Sequence, residues 1–323
     1  MDRRGFVAVI GGALAAPLGL RAQQAARMYR VGVLLPFSEV AATSLPTIRE
    51  RLAAQGFVEG RNLGLDVRYS RTDPDAARDL IARKVDAILA VTTDAAEVAN
   101  RETKTIPIVF TWVADPVLSG LVKHLGRPGG NVTGLSNRYY ELTVKRLELL
   151  RDLLPSVKRV AVAGTLAVPV NATALTFART AAARLGVELI ARTDVGWDWD
   201  HGLDSAIRAG AEAFCVFSNF ATHGLRYDAD NAVRAVARRR IPAVWVDSET
   251  VEIGGLMAYA TSLNDELRQA VDVLARVLRG ANPGALPVEQ ASRFELAVNL
   301  KTARALGIKI PQSILVRADR VIE

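Results

Sequence analysis

Between residues 31 and 246, short apolar runs alternate with longer helical patterns, and this alternation restricts the chain to parallel sheets covered by helices on both faces. Residues 31–35 read as the first strand and 45–55 as its helix, stopped by Gly56. A strand at 63–69, a helix at 74–84, a strand at 87–91, a helix at 94–102 and a strand at 108–110 follow, so one open α/β lobe is complete by about residue 130. The pattern then restarts: helix 141–154, strand 159–163, helix 172–185, strand 187–192, helix 203–209, strand 213–217, helix 229–240 and strand 243–246. Two such lobes in tandem predict a crevice between them, because open parallel sheets bind ligands beyond the carboxyl ends of their strands.

The tail departs from a simple pair of domains. Residues 254–260 read as a strand, 263–279 as a long amphipathic helix, 294–298 as a strand and 302–306 as a short helix. A tail of this kind can return to the first lobe and cross back, tying the two together as a hinge. The expected first lobe is residues 29–134 plus 262–290, and the second 135–260 plus 291–323.

The amino-terminal 22 residues carry a different signal. Arg3 and Arg4 precede an apolar stretch at 7–20 that is broken by Gly11, Gly12, Pro17 and Gly19 and closes with Leu20, Arg21 and Ala22. This order of charge, apolar run and small residue predicts a bacterial export signal of the twin-arginine type. The apolar part, about 14 residues against the ~20 that span a bilayer, is too short for a membrane anchor. A periplasmic protein beginning near Gln23 is expected. The roughly 300 residues that remain suit two domains of ordinary size.

Composition removes several classes of function. The single cysteine, Cys215, lies in an apolar run and can form neither an internal disulfide nor a thiolate cluster, so it reads as core. Of the formal charge of +7, the first 22 residues account for three arginines and one aspartate, and the rest is dispersed. The densest basic run, Arg238 to Arg240, ends a helical pattern and has no aromatic residues interleaved, so no nucleic-acid partner is expected. His124, His201 and His223 have no metal spacing, and Asp198, Asp200 and His201 read as a solvated loop. Residues 126–134 are glycine-rich but lack the Gly-Lys-Ser/Thr ending of a phosphate loop, and neither Gly-x-Gly-x-x-Gly after the first strand nor Gly-x-Ser-x-Gly occurs. No metal, no cofactor and no catalytic residue is expected, and the protein is read as a binder rather than an enzyme.

Candidate ligand contacts are the polar and aromatic residues just past strand ends. In the first lobe these are Ser38, which can hold a carboxylate or cap the following helix, Thr92 and Thr93 at a helix start, Trp112 as a flat wall or as lobe packing, and Asp115 as a contact or a helix cap. Asn137 lies in the expected first crossing between lobes. In the second lobe they are Asn171, Ser218, Asn219, Asp247 and Tyr259. Asp247 is the first choice to pair with a ligand ammonium, since a carboxylate in a closing cleft needs a cation or several donors; its alternative is an N-cap.

Several blocks, in order, carry a family resemblance. They are Gly56 to Asn62, Ile106 to Phe110 with Asp115, Pro116 and Val117, Arg127 to Gly134, Lys145 to Leu150, Gly254 to Met257, and Phe294 to Ala303. The chain resembles ABC transporter substrate-binding proteins of the tryptophan/tyrosine type over essentially its whole length beyond the signal. That resemblance implies the type I periplasmic-binding-protein fold, two doubly wound parallel-sheet lobes joined by a hinge of three crossings. The function expected on this basis is that of a monomeric periplasmic receptor that closes around a small organic ligand, with an amino acid or related carboxylate as the working choice, and presents it to an ABC permease in the inner membrane. A periplasmic sensor for a membrane receptor is the alternative, and a two-lobed α/β enzyme a more distant one. The chain departs from the common form of the family at Pro36 and Phe37, at Thr92 to Asp94 and at Trp112, so the ligand itself is not implied.

Overall fold

The computed structural model describes residues 27–70, 72–164, 166, 169–191, 198–217 and 226–323. Residues 1–22, where an export signal is expected, and the candidates Ser218 and Asn219 lie outside them. The first half runs β1 (Tyr29–Leu35), α1 (Ser38–Ala54), β2 (Leu63–Tyr69), α2 (Pro74–Ala82), β3 (Ala87–Val91), α3 (Thr93–Glu102), β4 (Ile108–Val113) and β5 (Val132–Ser136). The second runs α4 (Tyr139–Leu153), β6 (Arg159–Ala163), α5 (Pro169–Leu185), β7 (Glu188–Ile190), α6 (Trp199–Arg208), β8 (Ala213–Val216), α7 (Arg226–Arg238), β9 (Ala243–Trp245), α8 (Ser248–Glu252) and β10 (Met257–Thr261). The tail adds α9 (Leu263–Leu278), a 3-10 turn at Pro283–Ala285, β11 (Glu289–Gln290), β12 (Phe294–Asn299), α10 (Leu300–Leu306), α11 (Gln312–Leu315) and β13 (Arg320–Ile322).

These strands form two sheets, a six-stranded one in the order β11-β5-β4-β3-β1-β2 and a seven-stranded one in the order β13-β12-β10-β9-β8-β6-β7. All pairs are parallel except β10 with β12. Helices cover both faces of each sheet, which is why central strands such as β3, with all five residues buried, read as unbroken apolar runs. On one face of the first sheet Val33, Leu89 and Val109 pack with Leu267 and Leu274 of α9; on the other, Leu34, Ile88 and Phe110 pack with Leu80 and Val98. The second sheet repeats the arrangement, with Val160, Cys215 and Val244 against Leu150, and Ala161, Phe214 and Trp245 against Leu203 and Val236.

Helix α9 belongs physically to the first sheet although it follows a strand of the second. Arg51 of α1 donates from Nε and a terminal nitrogen to Asp272 of α9 at 2.7 and 2.6 Å, and Gln55 adds a third bond at 2.7 Å. The chain therefore passes between the sheets three times, from β5 to α4, from β10 to α9 and from β11 to β12. Strands β5, β10 and β11 each enter their crossing by the carboxyl end, so the carboxyl ends of both sheets converge where the crossings lie.

Three local features differ from the sequence expectations. Helix α1 starts at Ser38 and runs through Pro46, where an interior proline normally argues for a boundary; the Thr47 hydroxyl reaches the Thr43 carbonyl at 3.5 Å beside the interruption. The residues after Asp115 form a turn rather than the expected helix. Strand β5 has no apolar signature because Thr133, Gly134 and Ser136 occupy it, yet it is buried throughout. Gly134 is required there: its φ is 153°, and a Cβ would stand 2.6 Å from the Phe110 nitrogen on β4.

Candidate functional site

The loops leaving the first sheet are held in unusual backbone conformations. Thr92, Trp112 and Arg138 have φ of 94°, 56° and 55°, a region that β-branched and bulky residues avoid, and they sit after β3, near the end of β4 and in the first crossing. Backbone and side chains lace these segments together. Thr92 N–H donates to the Thr111 carbonyl at 2.9 Å, Ala114 N–H donates to the Thr93 hydroxyl at 3.3 Å, and Asn137 N–H donates to the Val113 carbonyl at 3.0 Å. The Ser136 hydroxyl donates to the Ala114 carbonyl at 3.2 Å. Thr92 stands at the N-cap of α3 without a side-chain cap bond, and its buried hydroxyl has no hydrogen-bond partner. The buried Oδ1 of Asn137 has none either.

The other first-lobe candidates divide by what their side chains already do. Trp112 is only 9% exposed, packs in the core cluster under α9, and donates its indole N–H to the Leu263 carbonyl at 3.1 Å. Asp115 accepts from the N–H groups of Val117 and Leu118, both at 2.9 Å, and so closes the turn that replaces the expected helix. Ser38 is the exposed first residue of α1, whose N-cap is Phe37 with no side-chain cap bond.

On the second sheet, Asp247 follows β9 and caps α8. Its Oδ1 accepts from the Thr250 N–H at 2.8 Å and from the Thr250 hydroxyl. Its Oδ2 is buried without a partner. Burial pushes the Asp247 carboxyl above the usual carboxylate range, while the Thr250 bonds and the Arg146 charge pull it back. Asn171, fully buried in the first turn of α5, accepts from the Tyr139 hydroxyl at 3.2 Å. Tyr259 stacks on Phe294, ring centroids 6.0 Å apart, and its carbonyl accepts from Arg146 Nε at 2.9 Å. Cys215 is a buried free thiol that desolvation pushes up to about 12, so it is protonated and inert.

Two charged residues escape the sequence reading. Arg146 is 1% exposed on α4 and Glu266 is 2% exposed in the first turn of α9. Both oxygens of Glu266 are buried without a partner at good hydrogen-bond geometry, and desolvation pushes its carboxyl up to about 8, with only the side chain of Thr261 near enough to oppose this. The signal is present in the register. Arg146 falls on the stripe of Leu142, Leu149, Leu150 and Leu153, and Glu266 on that of Leu267, Ala270 and Val273, where a soluble helix carries apolar side chains.

Buried polar atoms without a partner concentrate where the carboxyl ends converge. Thr92, Thr111, Asn137, Arg138, Asp247 and Glu266 contribute such atoms at strand ends, crossings or the turn after one, Arg146 lies two turns into α4, Ser119 lies in the turn after Asp115, and the unmet indole nitrogen of Trp245 lies against Gly255, ahead of β10. Each unmet group costs about 1–3 kcal/mol unless something satisfies it. By contrast, surface hollows of about 610 and 720 Å³, one containing Arg151 and Glu188 and the other Arg240 and Lys301, lie at the far ends of the second sheet. The triple-arginine run is engaged internally: Arg238 and Arg239 pair with Asp200, at 2.7 and 2.6 Å, and Arg239 pairs with Asp204 at 2.6 Å. Among the described residues no His, Cys, Asp and Glu side chains group as metal ligands, and no helix is long and apolar enough to cross a membrane.

Comparison with known proteins gives the same architecture. A tyrosine-binding protein of Clostridioides difficile is 27% identical over 263 residues, 80% of this chain and 74% of that protein. The crystal structure of a conserved domain protein from Vibrio cholerae is 27% identical with a TM-score of 0.79, covering 92% of this chain and 99% of that one. An ABC domain from Streptococcus pneumoniae solved in complex with L-Trp, 24% identical, has a TM-score of 0.77 over 91% of this chain and 100% of that one, and shares the fold. The family model for ABC transporter substrate binding proteins matches residues 31–322. The chain therefore belongs to the ABC transporter substrate-binding protein family, with the α/β two-sheet fold of type I periplasmic-binding proteins.

Proposed function

We propose that this protein is the periplasmic solute receptor of an ABC importer and that it closes around an amino acid or related carboxylate. Residues 29–134 plus 262–290 form one lobe and 135–260 plus 291–323 the other, a division supported by the sheet membership of β11 and β12. The guest sits between the converging carboxyl ends. Closure follows because only the closed arrangement lets both lobes touch it. The monomeric receptor then delivers its guest to a separate permease and ATPase. Export by the twin-arginine-type segment at 1–22 puts it in the periplasm.

The observation that carries this reading is the split use of Asp247. One oxygen caps α8 and fixes the side chain, while the other is buried and unspent at a strand end, as an ammonium receptor requires. Thr92 and Asn137 supply the polar groups opposite. Ser38 contributes from the rim, Ser218 and Asn219 from the residues that follow β8 in sequence, and Thr93, Trp112, Asp115, Asn171 and Tyr259 hold the walls in position. The relatives named for tyrosine binding and solved with L-Trp make aromatic amino acids the first guests to test.

Calorimetric titration with L-tyrosine and L-tryptophan, followed by mass spectrometry of the recovered amino acid, tests the proposal. Saturable binding with the amino acid returned intact is expected. Chemical turnover of either one, or no heat with both and no small molecule released on denaturing protein purified from cells, overturns it.

A further inference from the structure

We propose that the far edge of the second sheet carries a second ligand site, a crevice between α7 and α10 that takes a small amphipathic carboxylate with an oxygen at its apolar tip. The site is separate from the cleft assigned to the amino acid and does not depend on that reading.

The crevice opens where the amino ends of β9 and β10 lie beside the carboxyl end of β12, which runs antiparallel to β10. It is therefore at the opposite edge of the sheet from the crossings. Its outer part is the hollow of about 720 Å³, a size that holds small organic ligands. Val233, Ala237, Gly254, Thr302 and Leu306 line this hollow and also an inner pocket of about 20 Å³, room for one water-sized group. Two successive glycines keep the passage open. Gly254 has a φ of 119° and a Cβ there would stand 3.3 Å from Val233, while a Cβ on Gly255 would stand 2.9 Å from both Nε1 and Cδ1 of Trp245.

The inner pocket ends on a donor with nothing to bind. Trp245 is 1% exposed and its indole N–H has no hydrogen-bond partner. The ring edge that bears this N–H is the one that abuts Gly255, and Gly255 and Trp245 line the inner pocket together. A buried water needs several polar partners, but the polar groups beside Gly255 are already engaged with one another. The Thr302 hydroxyl donates to the Gly254 carbonyl and the Gly255 N–H to the Thr250 carbonyl, both at 2.9 Å. Ile241, Ala243 and Leu256 make the rest of the lining apolar. An oxygen carried on an apolar body meets both conditions, because it accepts from Trp245 while its carrier fills the passage.

The rim selects the other end of the ligand. Arg234, Arg240 and Lys301 are exposed around the hollow, and none pairs with a carboxylate among the described residues. Arg234 donates to the Asn231 side chain and Arg240 to the Ala305 carbonyl, both at 2.9 Å. Of the two acids on the rim, Glu252 is engaged by Arg320, which leaves Glu323 against three cations. Donors at both ends of an apolar passage match a carboxylate joined through an apolar body to a second oxygen acceptor.

Nitrogen–proton NMR of the tryptophan indole groups reads this site, with the Trp245 signal assigned by its loss in Trp245→Phe. The probe is 4-hydroxyphenylacetate, whose ring separates a carboxylate from a phenolic oxygen. It should shift the Trp245 signal saturably, with a dissociation constant of roughly 1–10 mM for so small a ligand. Lys301→Glu should weaken binding at least about tenfold, the value of a charged hydrogen bond. Ala237→Phe, which fills the passage from an exposed helix position, should abolish the shift. Neither variant should change the affinity of the cleft for its amino acid. No saturable shift over that concentration range overturns the proposal. So does the same shift in either variant, which would put the probe in the cleft with Asp247, two residues from Trp245. Failure to bind L-tyrosine or L-tryptophan would count against the proposed function and leave this result untouched.

Discussion

The indole N–H of Trp112, near the end of β4, donates to the carbonyl of Leu263, the first residue of α9, at 3.1 Å. This bond joins the strained end of a first-sheet strand to the helix that arrives directly from the second sheet. It gives Trp112 a structural task, and its burial in the cluster with Leu89 and Leu267 gives it a second. Trp112→Phe keeps most of the packing and loses the bond, so urea unfolding should register a loss of about 1 kcal/mol, with amino-acid affinity changed by less than about twofold. Trp112→Ala empties the site and should cost about 3–5 kcal/mol. A Phe variant of normal stability that binds tenfold more weakly would instead make the indole a wall of the binding site.

Glu266 should make stability depend on pH in a direction opposite to that of most carboxylates. Its folded value of about 8 lies above the value of 4.5 ordinary for a glutamate, which represents the unfolded chain. Below 4.5 both states hold the proton and no penalty arises. As the pH rises from about 4.5 to about 8 the unfolded chain releases a proton that the native protein retains, so stability falls across that window. Glu266→Gln removes the titration. Relative to wild type, the Gln variant should gain about 1.4 kcal/mol per pH unit through the middle of this range. Urea midpoints measured at intervals between about pH 5 and 8 check it, and parallel curves for the two proteins would refute a buried, proton-retaining Glu266.

Glu266 and Arg146 also mark how far the sequence can be read. Helices α4 and α9 are legible because their apolar positions recur with helical period, but reading a stripe by its leucines treats a charged residue within it as noise. The strands of the first sheet are legible for the same reason that β5 is not. The unbroken apolar run of β3, from Ala87 to Val91, has no counterpart in β5, where Thr133, Gly134 and Ser136 stand instead. The need for Gly134 arises only from the closeness of Phe110 on the neighbouring strand β4. Strands β11 and β13, two and three residues long, are fixed by pairing with β5 and β12 and have no periodicity to detect. Loop residues are legible as polar groups past strand ends. Which of them is already satisfied is not, because partners such as Ala114 for Thr93, or Tyr139 for Asn171, come from other segments.

The proposed function gives Asp247 a binding task on one oxygen beside the helix cap on the other, and two substitutions separate them. Asp247→Asn retains an oxygen able to accept from Thr250 while abolishing the charge, so the cap on α8 should survive within about 0.5 kcal/mol. Affinity for L-tyrosine or L-tryptophan, whichever binds wild type, should fall at least about tenfold, because a charged hydrogen bond to the ammonium is lost. Asp247→Ala should show the same loss of affinity together with about 1 kcal/mol of lost stability from the missing cap. Calorimetry at about pH 7 and urea unfolding of both variants read the two effects independently. Undiminished affinity in Asp247→Asn would remove the carboxylate from the binding site and leave it as a helix cap alone.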